Sequence, residues 1–171
     1  MEGVVDAIAV DLAGDIGVAA GGTRLTADHA IQLRAAAAGG RLLVAYDGDQ
    51  AGREATVRAA DVLSGDDAHT VQLPEGRDPA DVLVDAGPRG LRRALGVTVP
   101  LVDAAVVARL GRWQAHAGNP VALVDAVRDV APLVTAAPGD ARARLVGLVV
   151  ERLGLPVDLV VGALLDAAAP G

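Results

Sequence analysis

"LLVAYDGDQAGRE", residues 42–54, decides the fold. A continuous apolar run ends in Asp47-Gly48-Asp49, and a helical pattern follows at once. Together with Arg41 the run reads "RLLVAY", the signature of a strand buried on both faces of a parallel sheet. "QAGREATVRAADVLSG" then has helical spacing, with apolar positions at Val57, Ala60 and Leu63. In open α/β sheets ligands bind at the carboxyl ends of strands, which is where Asp47 stands. Two carboxylates one residue apart there can share a hard divalent cation, because Mg²⁺ takes oxygen ligands and keeps several waters. Gly48 lets the backbone turn so that both side chains converge. Asp-Gly is also a common turn pair, and Asp49 alternatively caps the helix behind it.

The same alternation extends both ways from this stretch. "VVDAIAVDLA" (4–13) has helical spacing, and "IGVAA" (16–20) reads as a short strand closed by Gly21-Gly22. Thr26 is placed to cap a helix over "ADHAIQLRAAAA", which Gly39-Gly40 ends. "HTVQL" (69–73) reads as a further strand. The β-α-β-α-β order predicts an α/β fold with a parallel sheet flanked by helices. From about residue 88 no strand pattern remains. Amphipathic segments run roughly over 88–95, 100–116, 119–135, 139–153 and 156–168, with breaks at Pro100, Asn119-Pro120, Pro138-Gly139 and Leu155-Pro156. The expected organisation is an α/β domain over 1–87 and an all-helical subdomain over 88–171.

Composition narrows the partners. Hydrophobic residues make up 52% of the chain and aromatics 1%, so the core must be built from Val, Leu and Ala. With no cysteine, disulfides and cysteine-ligated zinc are excluded. No basic n-region opens the chain, and no apolar run approaches the ~20 residues of a membrane span, which predicts a soluble, cytoplasmic protein. The net charge is −7. A protein that grips a phosphate backbone unaided carries a basic face. This chain would need metal ions or another basic element to act on nucleic acid.

The acidic turn has companions. Glu2-Gly3 opens the chain with Asp6 three residues on, "GGT" (21–23) follows the second apolar run, and "LPEGRDPADVL" (73–83) follows the last strand. "EGVVDAIAV", "GT" with "LT" behind it, "DGDQAGR" and "LPEGRDPADVL", in this order and spacing, resemble the Toprim domain of bacterial DnaG-type DNA primases. The helical tail resembles the segment that follows Toprim in the primase catalytic core. The resemblance covers nearly the whole chain.

The resemblance implies roles for particular residues. Glu2 matches the family's glutamate at the end of its first strand, a general acid/base or metal-organising group. Asp47 and Asp49 match its D-x-D metal ligands for Mg²⁺ or Mn²⁺. Asp78 matches the first acid of a later D-P-D motif, whose second acid falls on Ala80 here. Arg53 matches the arginine of the "DGDxAGR" signature and would face a phosphate. These roles suit phosphoryl transfer, which needs positioning and charge neutralisation more than covalent chemistry.

The function implied is metal-dependent nucleotidyl transfer, making RNA primers from NTPs on a single-stranded DNA template. The alternative is a non-catalytic remnant or interaction module that keeps the fold. Another Toprim enzyme, such as a nuclease, fits the helical tail less well. In the family an apolar strand precedes the glutamate, beside the D-x-D strand; here only Met1 does. The zinc-binding domain, the basic template-guiding lobe and the helicase-binding domain also have no counterpart. The expectation is therefore an N-terminally truncated catalytic core that is not self-sufficient, with a replicative helicase or a separate chain supplying the missing lobe as possible partners.

Of the remaining polar residues, His29, His69 and His116 lack metal-ligand spacing and are expected to have structural or surface roles. Tyr46 is expected in the core and Trp113 in packing. Arg89, Arg92 and Arg93 are expected on a solvated face.

Overall fold

The computed structural model describes residues 1, 3–22, 24–63, 67–116 and 118–168. The chain divides into two compact units, Met1–Leu101 and Val102–Gly171.

The first unit is mixed α/β. Helices α1 (Val4–Leu12), α2 (Ala27–Ala37), α3 (Gln50–Leu63) and α4 (Pro79–Leu95) surround strands β1 (Leu42–Val44), β2 (Ala68–Val71) and β3 (Thr98–Pro100). The strands lie in the order β1-β2-β3. β1 and β2 run parallel, with Leu43 opposite His69. The buried Thr70 hydroxyl donates to the Val44 carbonyl at 3.2 Å, which ties the two strands a second time. Val44, Ala45 and Tyr46 are buried, as the apolar run requires.

The helix starts and stops follow their residues. Thr26 Oγ1 accepts the His29 amide at 3.2 Å and caps α2, as its position predicts. α2 ends at Ala38 in the left-handed region, followed by Gly39. α4 starts earlier than the tail pattern suggests, at Pro79, because Asp78 caps it and proline suits the first helical position. It kinks at Gly87, whose φ of 68° with ψ of 179° breaks the helix before Pro88. Only glycine adopts that conformation without strain. The 87/88 division expected from sequence falls on this kink, while the first compact unit runs on to Leu101.

Two elements differ from expectation. Residues 16–20 form no strand. The Ala20 amide donates to the Met1 carbonyl at 3.1 Å, but no ladder forms. A strand needs a neighbour whose backbone groups match its own. Among the described residues β1 is the outer strand of the sheet. Conversely, 98–100 forms a strand where no strand was expected, antiparallel to β2. Three residues are too few to show an alternating pattern, and Pro100 confines the segment to a sheet edge.

The core of this unit lies between α1, α4 and the sheet. Ala9, Val10 and Ala13 of α1 and its C-cap meet Val82, Leu91 and Leu95 of α4, with Ala45 and Val71 beneath. The opposite face of α1 carries exposed Val4, Val5, Ile8 and Leu12.

The second unit is helical, as the tail pattern predicts: α5 (Leu101–Gly111, from the last residue of the first unit), α6 (Pro120–Ala136), α7 (Gly139–Leu153) and α8 (Val157–Ala168). α6 packs on both α7 and α8. Val127, Val130, Val134, Leu145, Val149 and Val160 are fully buried there. Asp129 links α5 to α6. Its carboxylate accepts from Arg112 and from the Trp113 indole N–H, each at 3.1 Å, and its carbonyl accepts from Arg109 at 2.9 Å. Trp113 is half-buried and held by this hydrogen bond. A two-point Arg144–Asp103 contact at 2.9 Å joins α7 to α5. No helix among the described residues is long and apolar enough to cross a membrane.

Candidate active site

The "DGD" turn leaves the carboxyl end of the β1 run and enters α3. Asp47 is half-buried and Asp49 exposed. Asp49 Oδ1 accepts the Gly52 amide at 2.8 Å, and its carbonyl accepts the Arg53 amide at 3.1 Å. Asp49 therefore caps α3, as the turn reading of this stretch allows. Capping and metal binding are compatible: a carboxylate has two oxygens, and the cap uses one.

The turn is held against the 74–78 loop. The Gly48 amide donates to the Arg77 carbonyl at 3.1 Å. A Cβ on residue 48 would lie 2.2 Å from the Pro74 carbonyl oxygen, so only glycine allows this approach. Arg77 closes its own loop on Pro74 and pairs with Asp85. Asp78 follows Arg77 directly, so one backbone hydrogen bond brings the Asp47/Asp49 turn and the Asp78 loop together.

Asp78 is also a helix cap. Its Oδ1 accepts the Asp81 amide at 2.6 Å at the start of α4. The sequence carried a signal for this, Asp-Pro at the Ncap and N1 positions, which the motif reading passed over. Arg53 is exposed on the first turn of α3, and its guanidinium donates to the Gly48 carbonyl at 3.2 Å. That bond uses one of five donors and leaves others for a phosphate.

Glu2 lies outside the described residues, as does Thr23 of the "GGT" segment. Gly3, the next residue, donates its amide to Asp6 Oδ2 at 3.3 Å, and Asp6 Oδ1 accepts the Ala80 amide at 3.4 Å. The beginning of α1 is thereby joined to the beginning of α4. The helix starts of α1, α3 and α4 each carry an acid, where backbone N–H groups favour negative charge.

Among the described residues no three acidic or imidazole groups are gathered closely enough to hold a metal ion between them. The donor set nevertheless fits Mg²⁺ or Mn²⁺. These are hard ions that accept carboxylate oxygens, and Mg²⁺ is usually bound through one or two carboxylates with water completing the shell.

Residues 1–83 match the family model described as Toprim-like. This part of the chain is similar to Toprim-like domains. The likeness to primases extends further along the chain. The DNA primase of Halalkalibacterium halodurans is 32% identical over 145 residues, which is 81% of this chain and 24% of that protein. A DNA primase domain from Pseudomonas aeruginosa superposes with a TM-score of 0.73 at 25% identity, covering 95% of this chain and 52% of that one. A DnaG primase catalytic domain bound to ssDNA gives 0.68 at 26% identity, covering 92% and 51%. The chain thus resembles the Toprim domain and following helices of DnaG-type primases. It spans about a quarter or less of the curated relatives and about half of these solved chains.

Proposed function

We propose that this Toprim-like chain is the metal-binding catalytic part of a primase, transferring nucleotides from NTPs to a growing RNA primer on single-stranded DNA. The observation that carries the reading is the Gly48–Arg77 backbone bond, which holds the Asp47/Asp49 turn beside Asp78 at the carboxyl end of the β1 run. Asp47 and Asp49 would hold the ion, and Asp78 would add to it. A divalent ion bound there supplies the charge neutralisation that a triphosphate and its transition state need.

The chain's own residues do the rest. The caps on α3 and α4 fix Asp49 and Asp78 before any ligand arrives, which lowers the ordering cost of binding. Arg53 offers its remaining donors to a phosphate oxygen. Glu2 takes the proton-transfer or metal-organising role that the primase likeness implies. The chain's charge of −7 places the main grip on the template elsewhere, in a further segment or a separate chain.

One observation favours the second reading, a non-catalytic module: Asp49 and Asp78 are both caps, and would be retained for the fold alone. Primer synthesis separates the two. The chain is supplied with NTPs, Mn²⁺ and single-stranded DNA, with and without a separately expressed primase amino-terminal lobe. RNA made only with the lobe, and abolished by Asp47→Asn, is the expected result. No RNA under either condition would favour the module.

A further inference from the structure

We infer that Asp6 is a positioning residue, a buried strut that fixes the Asp78-bearing turn from α1 rather than a ligand in its own right. The inference rests on the metal reading of the preceding subsection. Asp6 is 8% exposed, and its two oxygens serve two different turns. Oδ2 takes the Gly3 amide and Oδ1 takes the Ala80 amide.

The accounting at the start of α4 gives this contact its weight. The first amides of a helix have no intrahelical acceptor. Pro79 has no N–H. Asp81 donates to the Asp78 side chain, and Val82 donates to the Asp78 carbonyl. Ala80 donates to Asp6, 74 positions away in sequence. One acid thus covers the amide that the local cap cannot reach. Because its other oxygen holds Gly3, a shift of α1 moves the turn carrying Asp78. Ala80 occupies the position where the primase motif has its second acid, and here it packs against the α1–α4 core.

Asp6→Ala and Asp6→Asn test this on the full chain, by amide hydrogen exchange and by Mn²⁺ titration followed by EPR. In Asp6→Ala the Ala80 amide should exchange as fast as an exposed one, and Mn²⁺ affinity should fall about tenfold or more, the usual effect of losing a support behind a metal ligand. In Asp6→Asn a single carbonyl oxygen faces two N–H donors, so an intermediate loss is expected. Asn119→Ala, which removes the α6 cap in the second unit, should lower stability and leave Mn²⁺ affinity unchanged. Wild-type exchange at Ala80 in Asp6→Ala would overturn the strut. So would unchanged Mn²⁺ affinity in that variant, provided the wild type binds through Asp47 and Asp49. Wild-type binding that is absent, or that survives replacing Asp47 and Asp49 with Asn, defeats the metal reading itself and removes the purpose of the strut with it.

Discussion

Asp49 can be asked to do two jobs, and substitutions separate them. Asn caps helices about as well as Asp, whereas Ala costs about 1 kcal/mol. Asp49→Asn should therefore keep the stability of the chelated protein while losing metal-dependent stabilisation; Asp49→Ala should lose both. Urea denaturation with and without Mg²⁺ reads the difference, and an Asn variant that retained the full metal effect would leave Asp49 only its cap. Gly48 is decided by space. A methyl group there would lie 2.2 Å from the Pro74 oxygen, so Gly48→Ala must push the two loops apart. We expect a loss of about 1–3 kcal/mol, the usual cost of overpacking. An unchanged denaturation midpoint would mean that the loops are not held as described.

At the scale of elements, the Asp129 hub joins α5 to α6. Asp129→Ala removes the acceptor of both the exposed Arg112 and the partly buried Trp113 indole, and should cost about 1–3 kcal/mol, mostly from the indole N–H that loses its partner. Trp113 is the only tryptophan, so its emission reports the change directly: a red shift is expected on loss of the bond. Elements with a periodic pattern or a cap signal were legible in sequence. α1, α2, α3 and the tail helices fall where apolar spacing, Thr26, Asn119 and the glycine and proline breaks put them. The strands were harder to read, because pairing is not a local property. Residues 16–20 have strand composition but no ladder, and 98–100 gain strand geometry only from β2. At the site, the D-G-D turn was visible as a pattern. Its attachment through Gly48 to the Arg77 carbonyl, and the reach of Asp6 to Ala80, join residues far apart in sequence and leave no trace in spacing.

For the whole molecule, charge is the governing quantity. A chain of net charge −7 lacks the overall basic balance that releases counterions from DNA. Alone, it should show no measurable binding to a labelled single-stranded oligonucleotide by fluorescence anisotropy at 150 mM salt. Tight binding would mean that its arginines form a working template surface, and that no further basic element is required. The central claim, however, is that the turn at Asp47 and Asp49 binds a divalent ion, and a ligand that binds the folded state raises its stability by mass action. An ion at ten times its Kd adds about 1.4 kcal/mol, or about 3–6 °C for a chain of this size. The melting temperature should therefore rise in millimolar Mg²⁺ or Mn²⁺ relative to chelator, and the rise should vanish when Asp47 and Asp49 are both replaced by Asn. Equal melting temperatures with metal and with chelator, in the wild type and in the double variant alike, would contradict it.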